Sequence, residues 1–591
     1  MQLAVRQEDA DVLLKEKNLL TASVLDKYRT AGQIAESGLK YLIELINSSY
    51  HFQTLGRQLS VQELCVMGDS YIAALLNRVY VDKSQVREKG ISHPTAIEVN
   101  QFTGTGFSPE VDDVRPFMFQ TGDLVAISLG VHIDGYTANV SHTLVIFPPN
   151  PTKPDGPLLG PKADSVIAAH IAAETVVGLM ALASKPEKLP KEFLGTVATS
   201  SSNTTITGHT IRQTVDEIAR QFGCVVVPGS KVRRIRRFLA GQAEGIVAER
   251  DFKGVVWDEL HQEVELLTRY RNQNLKESQE MTIISKKDIK EIEASHSAIP
   301  TDEFVVAKGE AYQVDIRMVS VAEFKNELGI VTIEEVDKYT GKNHAKTTFN
   351  SQPTIYVRDY AMHHQLKLKT SRQLLGAIDK KIGVFPFKLT HLCDSFPLDI
   401  DANGNVDGEI LQRLAKEVTQ RKLGANELSN RHLIESRPIQ LVKFVPLKQI
   451  LLSSNPTGRQ GVDANKPVLP GMEIPLPNLG ISSLKLKLLV NKHGRSITEG
   501  GVARELKSIV IGGGEDSKND AVDAIKLTGN YKPSWSHSQY KLQGPLQSAI
   551  QQLDLLMKDK RFGISIRQVM PLSNLFSQID VKQAGDMNID N

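Results

Sequence analysis

The chain is 591 residues long, enough for three or four domains at roughly 150 residues each or for one large fold with insertions. Hydrophobic residues at 41% and charged residues at 23%, with only 26 prolines and 42 glycines, exclude a disordered, collagen-like or membrane-embedded composition. Seventy Lys and Arg against 68 Asp and Glu leave +2, so any binding of nucleic acid has to come from local patches.

The opening MQLAVRQEDADVLLKEK mixes acids and bases, without the apolar block of a signal peptide or the acid-poor bias of a transit peptide. Apolar residues at helical spacing (Leu20, Val24, Tyr28, Ala31, Ala35, Leu39, Leu42, Ile46) predict a long amphipathic helix within 12–47. Ser60 followed by Glu63 is a capping-box signature for a second helix reaching about Val79. From Gly90 to Phe147 the pattern becomes strand-like and ends in a Pro-rich loop, PPNPTKPDGPLLGPKAD. Helices are expected at about 164–183 and 208–222, and the apolar stretch Val166 to Ala183, which carries His170 and Glu174, reads as a core helix. A charged, mostly helical segment at 258–294 precedes strands in 304–359, a helix after Lys369 and a helical stretch to about Arg421. Strands at 440–452 and 482–491 and a helix near 545–558 complete the expectation, with a polar tail. Cys65, Cys224 and Cys393 stand far apart, which excludes a disulfide framework or zinc ribbon and points to a reducing compartment, cytoplasm or nucleus.

The segment 122–147, GDLVAISLGVHIDGYTANVSHTLVIF, carries the most information. Asp134-Gly135 is a type I′ turn signal between two alternating runs, hence a hairpin. A two-residue loop pairs Val131 with Ala138, Leu129 with Val140 and Val125 with Leu144 on an apolar face. The other face presents Ala126, Ser128, Gly130 and His132 against Thr143, Ser141, Asn139 and Thr137, and it puts His132 and His142 on opposite sides. Ser128 and Asn139 become diagonal neighbours. Two carboxylates at such positions would each approach one ion of a two-metal cluster that activates water; here neither residue is charged. Taken alone they are polar sheet-face residues.

The run KGISHPTAIEVN (89–100) followed by this hairpin resembles the pita-bread fold of type 2 methionine aminopeptidases, and especially their non-peptidase relatives, the proliferation-associated proteins. VLDKYRTAGQIAESGLKYLIELI, SVQELCVMGD, DSVIAAHIAAET, AYQVDI and KLKTSRQLLGAIDKKIGVFPFKL extend the likeness over most of 12–455 and the last helix. The resemblance implies an α+β class: a curved, mainly antiparallel sheet covered by helices, with a helical subdomain at about 365–440 and loop insertions at 148–163 and 184–207. A basic insertion with closing strands would occupy 456–545, and a C-terminal helix and tail 546–591.

The positions matching the peptidases' two hairpin aspartates are Ser128 and Asn139. Their metal-binding histidine falls near Glu249, one glutamate on Asp315, the last glutamate near Leu447, and the substrate-binding histidine near Gly106. At most two carboxylates remain of five ligands, so the resemblance implies a pseudo-enzyme without catalytic residues, metal or cofactor.

Two basic zones stand out. KVRRIRRF carries Lys231, Arg233, Arg234, Arg236 and Arg237, a charge of +5 in seven residues, either a solvated face or an Arg-rich surface for phosphates and exposed bases. Between 441 and 500, eight Lys and Arg, among them Lys443, Lys448, Lys485 and Lys487, face three acids, which suits either RNA contact or a sheet edge protected from aggregation. Trp535 reads as a core anchor. Within the family, the length, the Arg cluster and the long late insertion resemble the nuclear export factors of the large pre-ribosomal subunit. That resemblance implies pre-60S particles as partner (rRNA and ribosomal proteins near the tunnel exit), other assembly factors, Phe-Gly nucleoporins, no membrane, and shuttling between nucleus and cytoplasm. An active metallo-aminopeptidase with altered ligands and an RNA-binding proliferation-associated regulator are the competing expectations.

Overall fold

The computed structural model describes residues 16–82, 86–113, 115–150, 155–193, 205–237, 254–259, 261–262, 266, 304–336, 352–399, 406–447, 449–450, 486–490, 498–512, 522–559 and 562–572. Glu249, Lys448, Lys485, nearly all of 258–294 and the polar tail from 573 lie outside them.

Helix α1 (Ala22–Ile46) and helix α2 (Val61–Arg78) form where the apolar spacing places them. Ser60 and Glu63 make the expected capping box: the Glu63 carboxylate accepts from the Ser60 N–H at 2.9 Å, and the Ser60 hydroxyl accepts from the Glu63 N–H. Strand β1 (Lys89–Val99) pairs with β2 (Leu124–Ile133), and β2 with β3 (Tyr136–Val145), in the register predicted from the turn: Val131 opposite Ala138, Leu129 opposite Val140, Val125 opposite Leu144. Asp134 and Gly135 have φ of 53° and 82°, as a type I′ turn requires. The Asp134 carboxylate locks the turn by accepting from the N–H groups of Arg87 and Glu88 and from Lys27.

Helices α3 (Pro161–Ala181) and α4 (Gly208–Gln221) follow. The apolar surface of α3, long and apolar enough by composition to cross a bilayer, is mostly buried inside the protein. The next strands are β4 (Lys231–Ile235), β5 (Glu310–Ser320) and β6 (Gly329–Glu335), then helices α5 (Lys369–Lys381) and α6 (Gly408–Asn430), strand β7 (Gln440–Pro446), strand β8 (Ala503–Ile511) and helix α7 (Gly544–Lys558). Among the described residues the main sheet has ten strands, six of which run in the order β1-β2-β3-β8-β5-β4. Every pair on that path is antiparallel. Two apolar clusters cover it: one joins α1 and α2 to the hairpin and to α5 and α6, the other joins α3 and α4 to β5 and β8. This is the curved sheet under helices that the resemblance implies.

One local expectation fails. Residues 486–490 are helical, although the alternation of SLKLKLLV reads as a strand. Their apolar side chains Leu486, Leu489 and Val490 enter a small cluster at helical spacing, so the contact overrides the two-residue period. Strand β8, one of the sheet's central strands, falls within the closing strands expected in 456–545, and it is buried throughout despite its charges.

Candidate functional site

In an antiparallel sheet, residues directly opposite each other point to the same face, so register alone builds a row. Ser128 pairs with Ser141, Ser141 with Leu506, Leu506 with Asp315 and Asp315 with Lys231. One line across β2, β3, β8, β5 and β4 therefore carries Ser128, Ser141, Leu506, Asp315 and Lys231 on the concave face. Asn139 stands one step along β3, where its carbonyl accepts from the Ser508 hydroxyl at 2.9 Å and its side-chain oxygen from Ser92 at 2.7 Å.

The line places three of the expected positions, Ser128, Asn139 and Asp315, around one cleft. It does not place Leu447 there. That residue packs with Leu266, Ile330 and Val445 in a separate apolar cluster, and the strand beside Asp315 supplies Leu506 instead. Gly106 excludes the histidine of the peptidases on steric grounds, since a Cβ there would stand 2.2 Å from the carbonyl oxygen of Pro438.

Asp315 is the carboxylate of the row, and two guanidinium groups occupy it. Arg504 donates from Nε and Nη2 to its two oxygens, both at 2.8 Å, and Arg317 adds a contact at 2.9 Å. Arg504 also reaches Glu98 and Ser128 at 3.4 Å. All four charged groups are at least nine-tenths buried. Burial alone would raise the Asp315 pKa; Arg317 and Arg504 outweigh it and hold the carboxyl well below its usual range. Burial pushes Glu98 up against the same two arginines. A divalent metal needs open carboxylate oxygens, and here both point at bidentate arginines. Among the described residues, no group of three His, Cys, Asp or Glu side chains is placed to hold a metal ion. The residues present do not fit the metal pair of the peptidases.

The KVRRIRRF cluster does not project as one surface. It is strand β4 and its end, so alternate residues face opposite ways. Lys231 and Arg233 line the cleft, with Arg233 Nε 3.2 Å from Gln313. On the other side Arg234 and Arg236 share the Glu310 carboxylate at 3.7 and 2.7 Å, and Arg237 lies 5.4 Å from the ring centre of Tyr136. Each is half-buried. In the second zone, Lys443 is clamped between Glu499 and Glu334 at 2.5 and 3.5 Å, whereas Lys487 is exposed. His132 stacks on Phe385 and His142 pairs with Glu505 at 2.8 Å, confirming their opposite faces. Trp535 is partly buried against the α3 cluster and tilts on Phe147.

Sequence reasoning missed Arg504, Leu506, Arg317 and Arg437 as cleft residues, and Glu98 as a further carboxylate on Arg504. The available signal was the alternation in ARELKSIVI: Arg504 and Leu506 fall on one face, Glu505 and Lys507 on the other.

Comparison with known proteins agrees with this geometry. A model of metallopeptidase family M24 matches residues 26–177. A Candida albicans protein named probable metalloprotease ARX1 is 53% identical over 587 residues, 98% of this chain and 99% of its own. The protein of the same name in Saccharomyces cerevisiae is 48% identical over 599 residues, covering 97% of each chain. The solved structure of a thermophilic Arx1 covers 90% of this chain and 98% of its own, with a TM-score of 0.50 at 18% identity, a likeness of fold.

Proposed function

The chain belongs to the Arx1 family and carries an M24 metallopeptidase-type domain, and on that premise we propose that it is a catalytically silent member that binds pre-60S particles and assists their nuclear export. The observation that carries the silent reading is the row across the sheet. In the row where a two-metal hydrolase needs carboxylate and histidine ligands, this chain presents Ser128 and Asn139 with Leu506 and Lys231 on either side of Asp315, and Asp315 is neutralised by two arginines; Glu249, expected at the histidine's place, lies outside the described residues.

The particle-binding reading rests on the resemblance to pre-60S export factors in length, Arg cluster and late insertion. Contact with rRNA and ribosomal proteins near the tunnel exit then falls to groups such as the exposed Lys487 rather than to the Glu310-bound Arg234 and Arg236. For Phe-Gly nucleoporins, the described surface offers a groove of about 280 Å³ lined by Val225, Val321, Phe324, Leu328, Val331 and Phe444, apolar enough to take a phenyl ring. Shuttling between nucleus and cytoplasm follows from this role.

The test is affinity purification of the chain from cells followed by gradient sedimentation. Co-sedimentation with large-subunit precursors, weakened steeply by salt, is expected. An RNA-binding regulator unconnected with export would bring down RNA without those precursors, and that result would remove the export reading.

A further inference from the structure

Away from the cleft, two cavities of about 340 and 680 Å³ share Pro353, Ser429, Asn430 and Ser436 in their walls, so together they form one groove. The C-terminal half of α6 makes one side, and the strands Ile355–Arg358 and Ile434–Ser436 with the end of β6 make the other. Its charge is lopsided once every ion pair is set aside. Glu110 is balanced by Lys388 at 3.7 Å and Asp112 by Lys422 at 2.6 Å. Among the described residues Asp113, Glu335 and Glu435 form no ion pair, and Lys487 is the one lysine or arginine left unpaired on the wall. Three carboxylates thus stand against one ammonium, and all four residues reach the surface.

The second property is a pair of idle amides. Asn426 and Asn430 are exposed on the groove wall, and their side chains make no hydrogen bond among the described residues. They sit four residues apart on α6, about 6 Å along its axis. Alternate residues of an extended chain repeat at about 6.6 Å, nearly the same interval. Each amide offers a donor and an acceptor, which match the C=O and N–H of one residue of such a chain. The third property is the floor of the smaller cavity, where Phe107, Tyr356, Leu389 and Ile439 supply apolar surface below the polar rim.

We propose that this groove binds an extended, basic peptide segment of a protein partner, held by Asn426 and Asn430 through its backbone and by Asp113, Glu335 and Glu435 through its cations. A helical ligand would keep its N–H and C=O groups to itself and leave the asparagines unused. A phosphate backbone would meet the unpaired carboxylates and be repelled. Arginine and lysine stems are apolar and their heads charged, so they suit a floor of rings and a rim of carboxylates. The inference is independent of particle binding and stands or falls separately from it.

Fluorescence anisotropy of the full chain with end-blocked, dye-labelled octapeptides tests it. Alternating Ala-Arg should bind saturably with Kd below about 100 µM, and alternating Ala-Glu at least about tenfold more weakly. The block isomer, four alanines followed by four arginines, has the same charge without the alternation and should bind several-fold more weakly. Asn426→Ala with Asn430→Ala should weaken alternating Ala-Arg about tenfold, as should Asp113→Asn with Glu435→Gln. Arg413→Gln, on α6 outside both cavities, should bind like the parent. All these substitutions fall on side chains that are exposed or half-buried, and unchanged thermal unfolding verifies the fold. The proposal is overturned by no saturable binding below about 1 mM peptide, by Ala-Glu or the block isomer binding as well as alternating Ala-Arg, or by either double variant binding like the parent.

Discussion

Strand β8 sends charges to both faces of the main sheet, and the two faces use them differently. On the concave side Arg504 closes on Asp315, which Arg317 also holds, and reaches Glu98. On the helix-covered side Glu505 pairs with His142, and Lys507 and Lys526 share Glu174 of α3. The concave network is buried at every member, whereas Glu174 keeps 31% of its side chain exposed. Deep burial of every member makes each partner indispensable. A water-reached carboxylate between two lysines is a softer clamp, so removal of one group should hurt the concave face more.

The largest expected effect is therefore Asp315→Ala, which leaves two buried guanidinium groups facing each other. It should cost about 3–5 kcal/mol, read from the denaturant midpoint. A loss under about 1 kcal/mol would mean that water enters the cleft and the two faces do not differ as described.

Glu174→Gln comes next, at about 1–2 kcal/mol after allowance for its exposure. Its carboxyl is pulled from the ordinary 4.5 to about 2: burial opposes ionisation, but Lys507 and Lys526 outweigh it. A depressed folded pKa contributes stability above the unfolded value and loses it as pH falls through the folded one. Part of the acid loss between about pH 4.5 and 2 should thus vanish in Glu174→Gln, visible as a shallower dependence of stability on pH.

The smallest effect is expected at Lys526. Burial first, and Lys507 second, lower its pKa from 10.5 to about 8. Between those values the unfolded chain binds more protons, so stability should rise with pH there, and Lys526→Met should flatten that rise. An unchanged slope would place Lys526 in water rather than in the clamp.

Much of the fold was legible because local chemistry and global topology agree. The hairpin register followed from Asp134-Gly135, and the second helix from Ser60 and Glu63. Three of the cleft positions, Ser128, Asn139 and Asp315, were likewise readable. The last position was not, because Leu506 stands between Glu505 and Lys507 in a charged stretch and only its pairing with Asp315 reveals it. The Arg cluster was misread as one surface because its charge density conceals the two-residue alternation that gives Lys231 and Arg233 to the cleft and Arg234 and Arg236 to Glu310.

The most direct measurement is metal content by elemental analysis of the purified full chain, together with turnover of short Met-initiated peptides in added divalent metal. Arginines seated on Asp315 predict no stoichiometric metal and no turnover, before or after Ser128→Asp with Asn139→Asp. Stoichiometric metal in the unaltered protein with peptide turnover lost in Asp315→Asn would contradict a silent site and make the chain a metallo-aminopeptidase.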